Sequence, residues 1–85
     1  MGHSIEIKSK VKKYLMSLPR ETKCRIAETI EALKDTPRPV GCEKLKAYDA
    51  YRIRVGDYRV IYEVHDDILV VLVVKVGHRS SVYRD

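Results

Sequence analysis

Residues 50–65, AYRIRVGDYRVIYEVH, alternate apolar and polar side chains on both sides of the pair Gly56-Asp57. Strict alternation is the period of a half-buried strand, and a Gly-Asp pair between two such runs is a favoured two-residue hairpin connection. Gly supplies the positive φ that a type II′ turn demands. A two-residue turn leaves no freedom in the pairing. Val55 must face Tyr58, Arg54 must face Arg59, Ile53 must face Val60, and Arg52 must face Ile61. Tyr51, Ile53, Val55, Tyr58, Val60 and Tyr62 then share one face, and Arg52, Arg54 and Arg59 share the other.

The rest of the chain must supply a cover for the apolar face. SIEIK alternates Ile5 and Ile7 with Glu6 and Lys8, a short first strand. Val11, Tyr14, Leu15 and Leu18 then fall at i, i+3, i+4 and i+7, the stripe of a helix starting near Ser9. Pro19 suits the first position of a second helix, with Glu21 in its positive first turn and Ile26, Ala27, Ile30 and Leu33 as its buried stripe. Pro37 and Pro39 in DTPRPVG end it. After the hairpin, a turn near HDD leads into ILVVLVVKV, a β-branched run that is a buried last strand and far shorter than the roughly 20 residues of a membrane helix. The expected fold is α+β, ordered β-α-α-β-β-β, with a helical hairpin packed on one face of a small, largely antiparallel sheet.

At 85 residues the chain makes one domain, residues 1–85, with a thin core that a bound partner can stabilise. Cys24 and Cys42 form no C-x-x-C pair and have no His at metal spacing. With no secretory h-region, they are expected to be reduced thiols in the cytoplasm. Glu6 stands where a myristoylation signal needs Ser or Thr, and no membrane segment is expected.

The net charge of +5 points to a polyanionic or acidic partner. Lys44, Lys46, Arg52, Arg54, Arg59, Lys75, Arg79 and Arg84 meet few acids, whereas the first forty residues mix both signs. Two arginines directly opposite on a sheet cost a few tenths to about 1 kcal/mol. Solvated arginines that splay apart and cover Ile61 are one explanation. An anion site is the better one, because guanidinium forks grip phosphate and a third arginine shares the face. Beyond Gly77, KVGHRSSVYRD is expected to bring His78, Arg79 and Tyr83 to the sheet's edge. Imidazole serves either proton-transfer role near neutral pH, and an exposed Tyr can stack on a base.

LKAYDAYRIRVGDYRVIYEV followed by VGHRSSVYR resembles the RelE side of the RelE/ParE toxin superfamily of toxin–antitoxin systems, and the layout before it, including CEKLK, matches over nearly the whole chain. The resemblance implies a messenger-RNA endonuclease acting in the ribosomal A site and neutralised by a RelB-like antitoxin. By position, Arg52 and Arg54 stand where family members carry basic residues, often Lys, and Arg59 matches the arginine of the next strand. Arg79 matches the arginine after the final Gly, and Tyr83 the tyrosine near the C-terminus. Lys44, Lys46 and Arg84 are expected to contact RNA or ribosome.

The chemistry implied is attack of the substrate's own 2′-OH on the adjacent phosphate, stabilised by positive charge already in place. No cluster at metal-ligand spacing is visible, so no metal or other cofactor is expected. Arg52 and Arg54 stay protonated. Proton transfer is therefore assigned to His78, with contact to ribosome or message as its alternative role. A ParE-like gyrase poison and a non-catalytic RNA-binding module are the rival readings. The gyrase poison does not need the set Arg52, Arg54, Arg59, Arg79 and Tyr83, whereas the lack of an obvious general base keeps the binding module open.

Overall fold

The computed structural model describes residues 2–79. Its elements are β1 (Ser4–Ile7), α1 (Ser9–Met16), α2 (Arg20–Ala32), β2 (Glu43–Lys44), β3 (Tyr51–Val55), β4 (Tyr58–His65) and β5 (Val70–His78). They build one five-stranded sheet in the order β1-β5-β4-β3-β2. β1 runs parallel to β5, and the other neighbours are antiparallel. The expected α+β layout stands, with one added strand. A two-residue strand has no periodicity, so β2 left no signal in the sequence.

The β3–β4 register is the one the short turn requires: Val55 opposite Tyr58, Arg54 opposite Arg59, Ile53 opposite Val60 and Arg52 opposite Ile61. Gly56 takes φ +61° while Asp57 stays at negative φ, as a type II′ turn needs. Val60 and Tyr62 are fully buried on the helix side beside Ile26, Ile30 and Leu33 of the second helical segment and Val71 and Val73 of β5. Val11 is the buried residue of α1, and Tyr14, Leu15 and Leu18 are partly buried against the same core. Pro19 sits one place outside α2, where its carbonyl accepts from the Lys23 N–H at 2.9 Å. Ala27 is exposed, contrary to its expected place in the buried stripe. It lies about 100° around the helix from Ile26, off the line joining Ile26, Ile30 and Leu33.

The last strand starts two residues later than its apolar run. Ile68 and Leu69 belong to the turn after His65 and are 64% and 51% exposed, and Leu69 has φ 55°. The reason lies in the pairing. His65 sits opposite Val70, and the Leu69 carbonyl is turned to accept from the Ser4 N–H at 2.7 Å, which seats β1.

The far face of the sheet is not bare. Leu45, Ala50 and Ile61 form a second buried cluster with Val74 against it. A bulge at Ile61/Tyr62 leaves Val74 as the extra residue of β5. The segment after β2 folds over Ile61, so apolar residues cover it and arginine stems are not needed for that purpose.

Hydrogen bonds tie the proline-rich connection to the sheet. The Tyr62 hydroxyl donates to the Pro37 carbonyl at 2.7 Å, and burial pushes the phenol's pKa up. Arg38 donates through Nε to the Tyr51 hydroxyl at 2.9 Å and through Nη2 to Asp66 at 2.8 Å. Asp66 also meets His3 Nε2 at 3.0 Å. Among the described residues no helix is long and apolar enough to cross a membrane, and Cys24 and Cys42 are free thiols.

Tyr62→Phe removes the only side-chain donor to the Pro37 carbonyl among the hydrogen bonds described, while keeping the ring. It is expected to lower stability by about 1 kcal/mol, read as a lower denaturant midpoint at unchanged slope.

Candidate nucleic-acid interface

Arg52 and Arg54 project from β3 and Arg59 from β4, all on the face away from the helices. Arg59 stands opposite Arg54 on one side and opposite Gly77 on the other, so no side chain crowds it from β5. Lys75, opposite Ile61, adds an exposed cation to the same face. Arg59 is the electrostatic centre. Its pKa is pushed down first by burial and then by the charges of Arg54, Arg52 and Arg79. A guanidinium stays charged regardless. The shift records how strongly positive the field is at this point.

Arg79 follows β5, and its backbone N–H donates to the Asp57 carbonyl at 2.8 Å. That bond pins the exit of the last strand to the hairpin turn. It brings the exposed Arg79 side chain within electrostatic reach of Arg59. Four arginines expected from the sequence, Arg52, Arg54, Arg59 and Arg79, therefore act on one another.

Glu43 is the residue that the sequence reading missed. It lies opposite Arg52 on β2, and Arg52 Nη2 donates to Glu43 Oε1 at 2.5 Å. The Arg52 side chain is only 13% exposed, that of Glu43 56%. The hydrogen bond from Arg52, then its charge and those of Arg54 and Arg59, hold the Glu43 carboxyl below the usual range. Glu63, further along β4, pairs instead with His65 Nε2 at 2.8 Å, so Glu43 is the acid that meets Arg52. Only the edge pairing of β2 reveals the difference.

His78 is on the other side. It is directly opposite Tyr58, and opposed residues of an antiparallel pair share a face. Tyr58 packs on the helix-side core, and the two rings meet edge-on with centroids 5.5 Å apart. The sequence placed His78 beside the arginines because it precedes Arg79, but strand alternation sends neighbouring side chains to opposite faces. Lys44 is separated too. It stands opposite Tyr51, with Nζ 5.9 Å from that ring's centroid and 3.3 Å from Asp49. Lys46 is exposed in the bend after β2, while Tyr83 and Arg84 lie outside the described residues. No three His, Cys, Asp or Glu among the described residues are grouped to hold a metal ion.

This architecture has known counterparts. The family described as ParE toxin of the type II toxin–antitoxin system, parDE, matches residues 5–83. A protein named as a RelE1 toxin from Methanocaldococcus jannaschii is 34% identical, spanning 100% of this chain and 99% of its own. The chain belongs to the RelE/ParE family of type II toxins. Among solved structures, RelE in the archaeal RelE–RelB complex from Pyrococcus horikoshii matches with a TM-score of 0.81 at 32% identity, over 95% of this chain and 99% of that one. The RelB–RelE complex from Methanococcus jannaschii matches with a TM-score of 0.73 at 30% identity, over 92% and 94%. Isolated Escherichia coli RelE, with a TM-score of 0.79 at 23% identity over 98% and 87%, shares the fold. The three relatives above at 30% identity or more carry the RelE name, and this chain is a RelE-like toxin.

The Glu43–Arg52 pair sets an acid dependence. Glu43's folded pKa lies below its ordinary 4.5, so its contribution to stability is present above that value and is lost as pH falls through the folded pKa. Thermal midpoints of the parent are expected to drop between pH 5 and pH 3 (about the carboxylate range), and to drop less in Glu43→Gln.

Proposed function

We propose that this RelE-like toxin is an endoribonuclease that cleaves messenger RNA in the ribosomal A site and is neutralised by a RelB-like antitoxin. The observation that carries the reading is the convergence of Arg52, Arg54 and Arg79 on Arg59. In-line attack of a 2′-OH on the neighbouring phosphate builds a crowded, doubly charged phosphorane-like transition state. Donors already aimed at that charge stabilise it without rearranging as it forms. Guanidinium forks suit the non-bridging oxygens, and a pair opposed across two strands can grip them from both sides. The products are a 2′,3′-cyclic phosphate and a 5′-hydroxyl.

The roles follow from placement. Arg54 and Arg59 hold the scissile phosphate, Arg52 and Arg79 extend the positive field along the backbone, and Lys75 lies on the path of the strand. His78, on the opposite face with Tyr58, acts as a contact to ribosome or message rather than at the phosphate. The ribosome supplies the message in an extended, unpaired state that a shallow sheet face can address.

A gyrase-poisoning role of the ParE kind uses binding alone and requires no phosphate grip at the centre of the sheet. Primer extension on translated message tells the two apart. Cuts within codons are expected here, with no defect in supercoiling. Their absence, with a supercoiling defect, overturns the nuclease reading.

Arg59→Ala and Arg79→Ala are each expected to abolish growth arrest in cells lacking antitoxin, while circular dichroism stays that of the parent. Loss of one such donor typically lowers the rate about 10²–10³-fold. Folded variants as toxic as the parent would place the site elsewhere.

The relatives solved with RelB support a protein partner for this chain as well. With a net charge of +5, an acidic, largely helical antitoxin segment is expected over the arginine face or the helical hairpin beside it. Its affinity should fall steeply with added salt, because exposed charge pairs are screened over about 8–10 Å at ordinary ionic strength. An affinity unchanged between low and high salt would count against this docking.

A further inference from the structure

The hairpin tip carries a feature that a grip on phosphate leaves unused. A pocket of about 210 Å³ opens between α2 and the turn, lined by Thr22, Arg25, Val55, Gly56, Asp57 and Tyr58. Its apolar lining is buried Val55 and the half-buried ring of Tyr58, both on the helix side, and His78 meets Tyr58 edge-on. The space is smaller than the roughly 300–1,000 Å³ of a site for a drug-sized molecule. One planar ring system is the size of group it takes.

Two charges of opposite sign line this space. Arg25 comes from α2, and its guanidinium lies over Gly56, where a Cβ would stand 3.7 Å from Nη1 and 3.8 Å from Nη2. Asp57 comes from the turn. The two do not pair, and among the described residues neither side chain makes a hydrogen bond or an ion pair. Both remain available to a ligand. We infer that this pocket binds a nucleobase of the message, next to the phosphate held by Arg54 and Arg59, an assignment that rests on the nuclease reading.

Other classes of ligand each meet an opposing group here. Phosphate is repelled by Asp57 and an ammonium group by Arg25, while an alkyl chain takes water from both charges and gives nothing back. A nucleobase satisfies the whole lining. Its apolar face suits Tyr58 and Val55, and its edge carries both N–H donors and ring acceptors. Asp57 accepts from the donors, and Arg25 and the Thr22 hydroxyl donate to the acceptors. Base–aromatic stacking of this kind contributes about 1–3 kcal/mol per base.

The pocket is reached from the arginine face around the end of the sheet. Only the pair Val55–Tyr58 separates Arg54 and Arg59 from the turn. Arg79, whose N–H is bonded to the Asp57 carbonyl, continues the positive field at the same end. A strand that leaves the phosphate grip toward the turn therefore keeps its backbone among cations while a neighbouring base swings to the helix side. Unpaired RNA permits this, because its bases can be splayed apart and held one by one.

The test is single-turnover cleavage on ribosomes programmed with messages in which one base at a time, from the A-site codon onward, is replaced by an abasic ribose. For the parent, removing one particular base is expected to slow cleavage about 5–100-fold, the worth of a stacked base. Arg25→Ala should slow cleavage of the intact message by a similar factor and that abasic message no further, because partners in contact are not additive. Arg25→Lys keeps the charge without the planar fork and should behave as Arg25→Ala does. Arg25 is exposed, so neither substitution disturbs the core. If Arg25→Ala slows every message by one common factor, the pocket holds a ribosomal base or acts by charge alone, and this inference is overturned while the nuclease reading stands. Parental rates for Arg25→Ala on the intact message overturn it in the same way. A parent that cuts no message overturns the proposed function and this inference with it.

Discussion

The two-residue turn at Gly56-Asp57 is the constraint on which the rest of the molecule depends. With Gly56 at φ +61°, the flanking strands can pair in only one register. That register places Val55, Tyr58, Val60 and Tyr62 under the helices and sets Arg54 against Arg59 on the far side. A slip of one residue would turn every side chain over and bury the arginines. The turn also receives the end of the chain's last strand, because the Asp57 carbonyl accepts the Arg79 N–H. One tight connection thus organises both the core and the charged surface.

The charged surface is frustrated in the free protein. Opposed arginines weaken a sheet, and Arg59 is partly buried among three others. Two features make the arrangement tolerable. Glu43 neutralises Arg52 from the edge strand, and Leu45, Ala50 and Ile61 build a small apolar patch beside the charges. Neither removes the repulsion between Arg54 and Arg59. A polyanion does, so binding one relieves strain that folding leaves in place and stabilises the native chain in proportion to its affinity. The same logic applies to any acidic protein segment laid on this field.

The opposite end of the sheet is organised differently. Tyr51, Arg38, Asp66 and His3 link the proline-rich connection, the β4–β5 turn and the chain start through hydrogen bonds. Tyr51 and Tyr62 stack with centroids 5.9 Å apart beside this network. Opposite charges are matched there, in contrast to the excess of cations around Arg59. Thus one end of the sheet is held by matched charges, and the far face near the hairpin carries an excess of positive charge.

Alternation and turn chemistry in the sequence by themselves determined the element order, the β3–β4 register and the shared face of Arg52, Arg54 and Arg59, because these are local properties with a period of two or 3.6 residues. They also carried the resemblance to RelE. What only the tertiary structure decided are the relations that depend on pairing between distant segments. Glu43 reaches Arg52 through a strand too short to have a period. Leu45 and Ala50 cover Ile61 because the chain after β2 folds back over the sheet. Leu69 leaves its apolar run to seat β1. His78, adjacent in sequence to Arg79, points to the other face, since each residue along a strand reverses the direction of its side chain. Sequence neighbours are told apart by the pleat and distant residues are joined by the ladder, and both are set when the sheet assembles.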